Sequence, residues 1–188
     1  KPANTACFVN ADDTTTGDIY NAGTINITAN QSSGIFSSGT AGGKITNAGE
    51  INLTGSDNTG IFVYGNSEGV VNDGTIQMQG GGSDYLAGSM NGIWVAETAD
   101  ITNNGNISIN NSAYTANGMY NKEGTITNKG TVTIEGSGAA LKTHNGTLYN
   151  EGTLNLSNTG EDFVYGMKLD LSGTSSNEGT INIDGFGF

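Results

Sequence analysis

Side chains that could do catalysis are few in this sequence and poorly spaced for it. His144 is the only histidine and Cys7 the only cysteine, so no Ser/His/Asp arrangement and no Cys/His metal set can be assembled from its motifs. His144 sits in Thr143-His144-Asn145-Gly146, which reads as an exposed turn, and a lone histidine there is expected to be inert. Acidic pairs occur at Asp12-Asp13 and Glu161-Asp162. Neighbours on a strand point to opposite faces, so their adjacency does not make an acid/base pair. Asp84 follows a run of glycines but misses the Gly-Gly-x-Gly-x-Asp spacing of a calcium-binding repeat. The expectation is a protein that is not an enzyme and that carries no cofactor or metal.

Recognition is the better prospect, and it depends on a repeat. Asn-x-Gly-x-(Ile/Val/Leu)-x-(Ile/Leu/Met) begins at Asn21, Asn47, Asn72, Asn103, Asn128, Asn150 and Asn177, in steps of 26, 25, 31, 25, 22 and 27 residues. A period in this range predicts a solenoid in which each coil buries its apolar face only against its neighbours. Within a coil the apolar residues alternate with polar ones, the period of half-buried strands. The first strand would carry Ile19, Ile45, Val71, Ile101, Ile126 and Leu148 inward. The second would carry pairs such as Ile25/Ile27, Ile51/Leu53 and Val132/Ile134, and the third Ile35, Ile61, Ile93, Met119, Leu141 and Met167. The glycine of the phrase suits a turn residue with positive φ. The fold expected is therefore all-β: a right-handed parallel β-helix of about seven coils with three short strands each. Residues 1–18 would form an N-terminal capping segment and 19–188 the repeats. The handedness rests on the general preference for right-handed crossovers. Because the chain opens at Lys1-Pro2 and stops just after a repeat phrase, it is expected to be a piece of something longer.

Three sets of residues stand out on that scaffold. Asn21, Asn47, Asn72, Asn103, Asn128, Asn150 and Asn177 would stack in one column and satisfy turn amides, a structural role. If the third strand points its aliphatic residues inward, Phe36, Phe62, Trp94 and Tyr120 form an outward ladder about 15 Å long. The opposite parity would put those rings inside. Lys142 and Lys168 continue the column and support the outward assignment. Exposed aromatics of this kind mark a protein contact, a sugar-stacking platform or a covered face. Insertions at one corner place Asp84, Tyr85 and Leu86 in coil three and Tyr114 in coil four, where loops on a rigid frame usually recognise partners. The second strand would show a flat polar face of Thr, Asn, Gln and Ser, suited to glycans or to a like face.

Charge narrows the partners. With 18 acidic residues, six lysines and no arginine, the net charge is -12. Nucleic acid needs cations to displace counterions from phosphate, and insertion into an anionic membrane surface needs them too, so both are disfavoured.

With Asn21-Ala22-Gly23-Thr24-Ile25-Asn26-Ile27 and Ser33-Gly34-Ile35, the chain resembles the passenger of a bacterial autotransporter, of the type V secretion family of Gram-negative outer-membrane proteins. The wording covers residues from about 19 to 184. The resemblance implies display on the bacterial surface through an outer-membrane barrel. It also implies adhesion to host cells, matrix or glycans, and often self-association into aggregates or biofilm. A passenger that crosses the outer membrane unfolded also suits a chain with no internal disulfide. The partner would be a host surface protein, a glycan or another copy. Other readings are a structural stalk for a distal domain, a polysaccharide-cleaving β-helix (a class that leans on Asp clusters with Arg or Lys), and ice binding through Thr rows. Glu50 and Asn106 interrupt those rows.

Overall fold

The structure, a computed structural model, describes residues 7–11, 17–38, 43–65, 67–80, 89–111, 115–158 and 162–185. Among them are eighteen strands, β1 to β18 in chain order, and no helix. All the pairings are parallel, and each strand pairs with its counterpart one coil away.

Three faces result. The second strands are β3 (Thr24–Ile27), β6 (Glu50–Thr54), β9 (Thr75–Gly80), β12 (Asn106–Asn111), β14 (Thr131–Glu135), β16 (Thr153–Asn158) and β18 (Thr180–Gly185), which stack as one seven-stranded sheet. The first strands begin with β2 (Ile19–Asn21), β5 (Ile45–Asn47), β8 (Val70–Asn72) and β11 (Ile101–Asn103). The third strands begin with β1 (Cys7–Ala11), β4 (Ser33–Ser37), β7 (Thr59–Val63) and β10 (Met90–Thr98). In the later coils a third strand runs straight on into the next first strand. This makes β13 (Ala116–Asn128), β15 (Gly138–Asn150) and β17 (Val164–Asn177), and it joins the two faces into one eleven-stranded sheet. The result is a parallel β-solenoid with three strands per coil, and six turns separate the first and last second-strands.

Alternation in the sequence becomes inside and outside in the fold. Ile51, Ile61, Ile93, Met119, Ile126, Val132, Leu141 and Leu154 are wholly buried, and they belong to one continuous core running down the axis. Each fully buried aliphatic side chain is worth about 1.5–3 kcal/mol over its exposed state, so this column carries the fold.

Two expectations need correction here. The inward valine of the third coil's first strand is Val70, not Val71: Val70 pairs with Ile45 and Ile101 and is buried, while Val71 aligns with Thr46 and Thr102. Two adjacent valines made the parity ambiguous, and the stacked asparagines fix it. The glycines of the repeat phrase are also not left-handed turn residues. Positive φ is found at other glycines, such as Gly55, Gly124 and Gly173. What the phrase needs is close approach between coils, because a Cβ on Gly49, Gly74 or Gly105 would collide with the glycine carbonyl oxygen of the coil beneath.

A second glycine column lies where the third strand begins. A Cβ on Gly34, Gly60, Gly92 or Gly166 would come within 2.5–2.8 Å of the Cγ2 of Ile51, Ile76, Ile107 or Ile181. For Gly34, Gly60 and Gly92 the carbonyl oxygen of the next coil lies as close, at 2.5–2.7 Å, so these glycines make room both for a β-branched side chain of the second strand and for the neighbouring third-strand backbone.

Candidate functional site

The asparagine column runs through the core edge as an unbroken chain of amides. The Nδ2 of Asn21, Asn47, Asn72, Asn103, Asn128 and Asn150 each donates to the Oδ1 of the next asparagine at 2.7–2.8 Å. The Nδ2 groups from Asn47 to Asn150 also reach the phrase glycine's carbonyl, as Asn103 does to Gly105 at 3.2 Å. Each asparagine carbonyl also accepts the next two backbone amides one coil on; Asn47 O takes those of Asp73 and Gly74. Buried donors and acceptors are thus matched coil by coil, which is a scaffold function and not a chemical one.

Outside the third strand, parity is as expected. Phe36, Phe62, Trp94, Tyr120, Lys142 and Lys168 share one register column, and the four rings are half-buried on the outer surface above wholly buried Ile35, Ile61, Ile93 and Met119. Ring centroids are 5.3 Å apart for Phe36–Phe62, 4.5 Å for Phe62–Trp94 and 6.2 Å for Trp94–Tyr120. The last two pairs are near-parallel, at 17° and 13°. Phe62 and Trp94 therefore turn a face to each other along the axis, Tyr120 lies parallel to Trp94 at a wider offset, and Phe36 is tilted by 54° against Phe62. The face that Phe62 and Trp94 turn on each other is closed to a ligand, which leaves their edges, the electropositive part of an aromatic quadrupole. Tyr64, 57% exposed, adds an edge contact to Phe62 at 6.5 Å and widens the patch.

At its far end the ladder meets charge. Lys142 Nζ lies 4.9 Å over the Tyr120 ring, and Lys168 Nζ lies 5.2 Å over Tyr165. Both ammonium groups also bind Asp170, Lys142 to Oδ2 and Lys168 to Oδ1, each at 3.2 Å. His144 Nε2 stands 3.2 Å from the same Oδ2 and 2.8 Å from Tyr120 Oη. A proton on Nε2 can be shared with the carboxylate; without it, the phenol donates to the ring nitrogen. Burial, reinforced by the Asp170 charge, pushes the Tyr120 phenol up, so it keeps its proton. Burial also works against ionising Asp170, but the hydrogen bonds and charges of Lys168 and Lys142 outweigh it and hold that carboxyl below its ordinary range.

His144 is thus not in a turn, as its sequence neighbours suggested. It lies within β15, where the long continuous strand carries Thr143-His144-Asn145-Gly146 across the corner. Sequence reasoning missed Tyr64, His144 and Asp170 as members of this surface. The available signal was their place two residues after Phe62, Lys142 and Lys168, the next outward position of each strand.

The second-strand face is flat and polar. Asn52 donates to Asn26 at 2.9 Å and Asn182 to Asn155 at 2.8 Å, and a shallow trough lies beside Glu50, Asn52, Thr75 and Gln77. Asp84, Tyr85, Leu86 and Tyr114 lie outside the described residues. Among the described residues, no three of His, Cys, Asp and Glu gather as a metal set. Compared with family models, with curated proteins and with solved structures, the chain finds no match.

Proposed function

We propose that this solenoid is a binding module of the bacterial cell surface, an adhesin passenger carried by an outer-membrane barrel, and that it attaches through its third-strand face. The observation that carries the reading is the outward column Phe36–Phe62–Trp94–Tyr120, a contiguous run of rings over four successive coils, widened by Tyr64. The repeat phrases that resemble autotransporter passengers supply the surface location. A rigid rod suits the role, because its core forms the contact face without being remodelled by it.

A stalk is the second reading, and one observation favours it. Ring faces turned on one another stabilise the rod itself, by about 0.5–1.5 kcal/mol per pair, whether or not anything binds. Beads coated with the protein separate the two when tested on epithelial monolayers and on matrix-coated wells. Adhesion that falls sharply on changing Phe62 and Trp94 together to Ala, with the far-UV circular dichroism kept, supports the module. Wild-type beads that bind nothing support the stalk. Sedimentation across a wide concentration range shows whether the partner is another copy.

A further inference from the structure

Resting on the reading of the third-strand face as the contact surface, we propose that its cationic end receives a carboxylate of an acidic, apolar protein segment. The acceptors are Lys142 and Lys168, and the segment's alkyl side chains lie against the exposed edges of Trp94 and Tyr120.

Charge is the first argument. Lys122 with Glu97 and Lys129 with Glu151 are one-to-one pairs at 3.1 and 3.9 Å, with side chains about half exposed. At Asp170 two ammonium groups and an imidazole share a single carboxylate. Among the ion pairs of the described residues, this is the one where cations outnumber carboxylates, in a chain of net charge -12. Each ammonium has three donors, and Asp170 accepts one from each, which leaves donors for a second carboxylate. Distant acidic residues count for little, since screening at physiological ionic strength acts over about 8 Å. Local excess charge therefore decides what docks.

Ring orientation is the second argument, and it selects the kind of partner. A sugar packs its C–H face on an open ring face. Here the faces of Phe62 and Trp94 cover each other, and Tyr120 is capped by Lys142. Edges remain, which suit alkyl groups and the oxygens of a polypeptide. Charge complementarity and edge-on rings together favour an acidic peptide segment over a glycan.

Trp94 is the only tryptophan and sits in the ladder, so its emission reports on the site. The full chain is titrated with three probes: a synthetic peptide of Asp, Leu and Ser, the same peptide with Asn for Asp, and oligogalacturonate. The expected result is a saturable change with the Asp peptide. Its affinity falls about tenfold with Asn in place of Asp, or in the Lys142→Ala/Lys168→Ala variant. Equal binding of the Asp and Asn peptides, an unchanged affinity in the lysine variant, tighter binding of oligogalacturonate, or no saturable change with any probe would each overturn the proposal. Bead adhesion of the lysine variant and of the Phe62/Trp94 variant keeps the two levels apart. If only the ring change abolishes adhesion, the contact face stands without its carboxylate site; if neither does, the contact face itself fails.

Discussion

Asn103 shows how much one repeated residue can carry. It accepts from Asn72 and donates to Asn128, both at 2.8 Å, and it is wholly buried. Asn103→Ala leaves a buried acceptor on Asn128 without its donor and takes an acceptor from Asn72, a cost of about 2–4 kcal/mol. Asn177→Ala removes the exposed end of the same column, where water can substitute, and should cost about 1 kcal/mol or less. Urea denaturation of the two variants checks the contrast. Asp170 gives a pH prediction of definite sign. Its folded carboxyl binds a proton less readily than the unfolded one, so its contribution is complete above the unfolded value of about 3.9 and is lost as pH falls through the lower folded value. A carbon-detected NMR titration of Asp170 should therefore find a midpoint below the ordinary aspartate range in wild type. In Lys142→Ala/Lys168→Ala it should move upward.

The strand is the scale at which sequence and fold agree best, and also where they part. Period-2 alternation made Ile61 and Phe62 legible as inside and outside, because neighbouring strand residues must face opposite ways. Alternation alone does not separate Val70 from Val71, but the two-residue offset from the repeat asparagine, as in Ile45–Asn47 and Ile101–Asn103, picks out Val70. Neither signal shows that ring planes stack, which depends on side-chain torsions. The glycine at the start of each third strand was visible as a pattern, but its reason was not, since the atom it avoids belongs to a strand well separated in sequence. The isoleucine side of that reason also fits Ala140. Where Gly34, Gly60, Gly92, Gly118 and Gly166 face Ile or Val, Ala140 falls in the column at the coil whose second strand offers Leu154, unbranched at Cβ. Gly92→Ala should cost about 1–3 kcal/mol, because its Cβ would meet both the Gly118 carbonyl oxygen at 2.5 Å and the Ile107 Cγ2 at 2.6 Å. Adding Ile107→Leu should recover part of that, a positive coupling readable in a double-mutant cycle. Equal and additive losses would remove this account of the column.

At the scale of the whole molecule, the solenoid separates what holds it together from what it offers outward. Its axis is a continuous aliphatic core edged by the asparagine chain, and neither needs anything from the outer faces. The three faces differ: a narrow first-strand face, a flat polar second-strand face, and a third-strand face with an aromatic stripe that ends in lysines. The repeat phrase recurring every 22 to 31 residues announced the solenoid, and its unequal steps are loops of different length between constant strands. The cluster of Tyr120, His144 and Asp170 stayed hidden because its members come from successive coils and meet only when register is known.

Adhesion measured face by face tests this account most directly. Three variants each alter one face and leave the core alone: Phe62→Ala/Trp94→Ala on the third, Asn52→Ala/Gln77→Ala on the second, and Thr102→Ala/Thr127→Ala on the first. Beads carrying each folded variant are compared with wild type on the same monolayers. The account predicts that the third-face variant loses at least about tenfold in attachment strength, more than 1.4 kcal/mol, while the other two keep it. Loss confined to the second-face variant, or full attachment by the third, would contradict it.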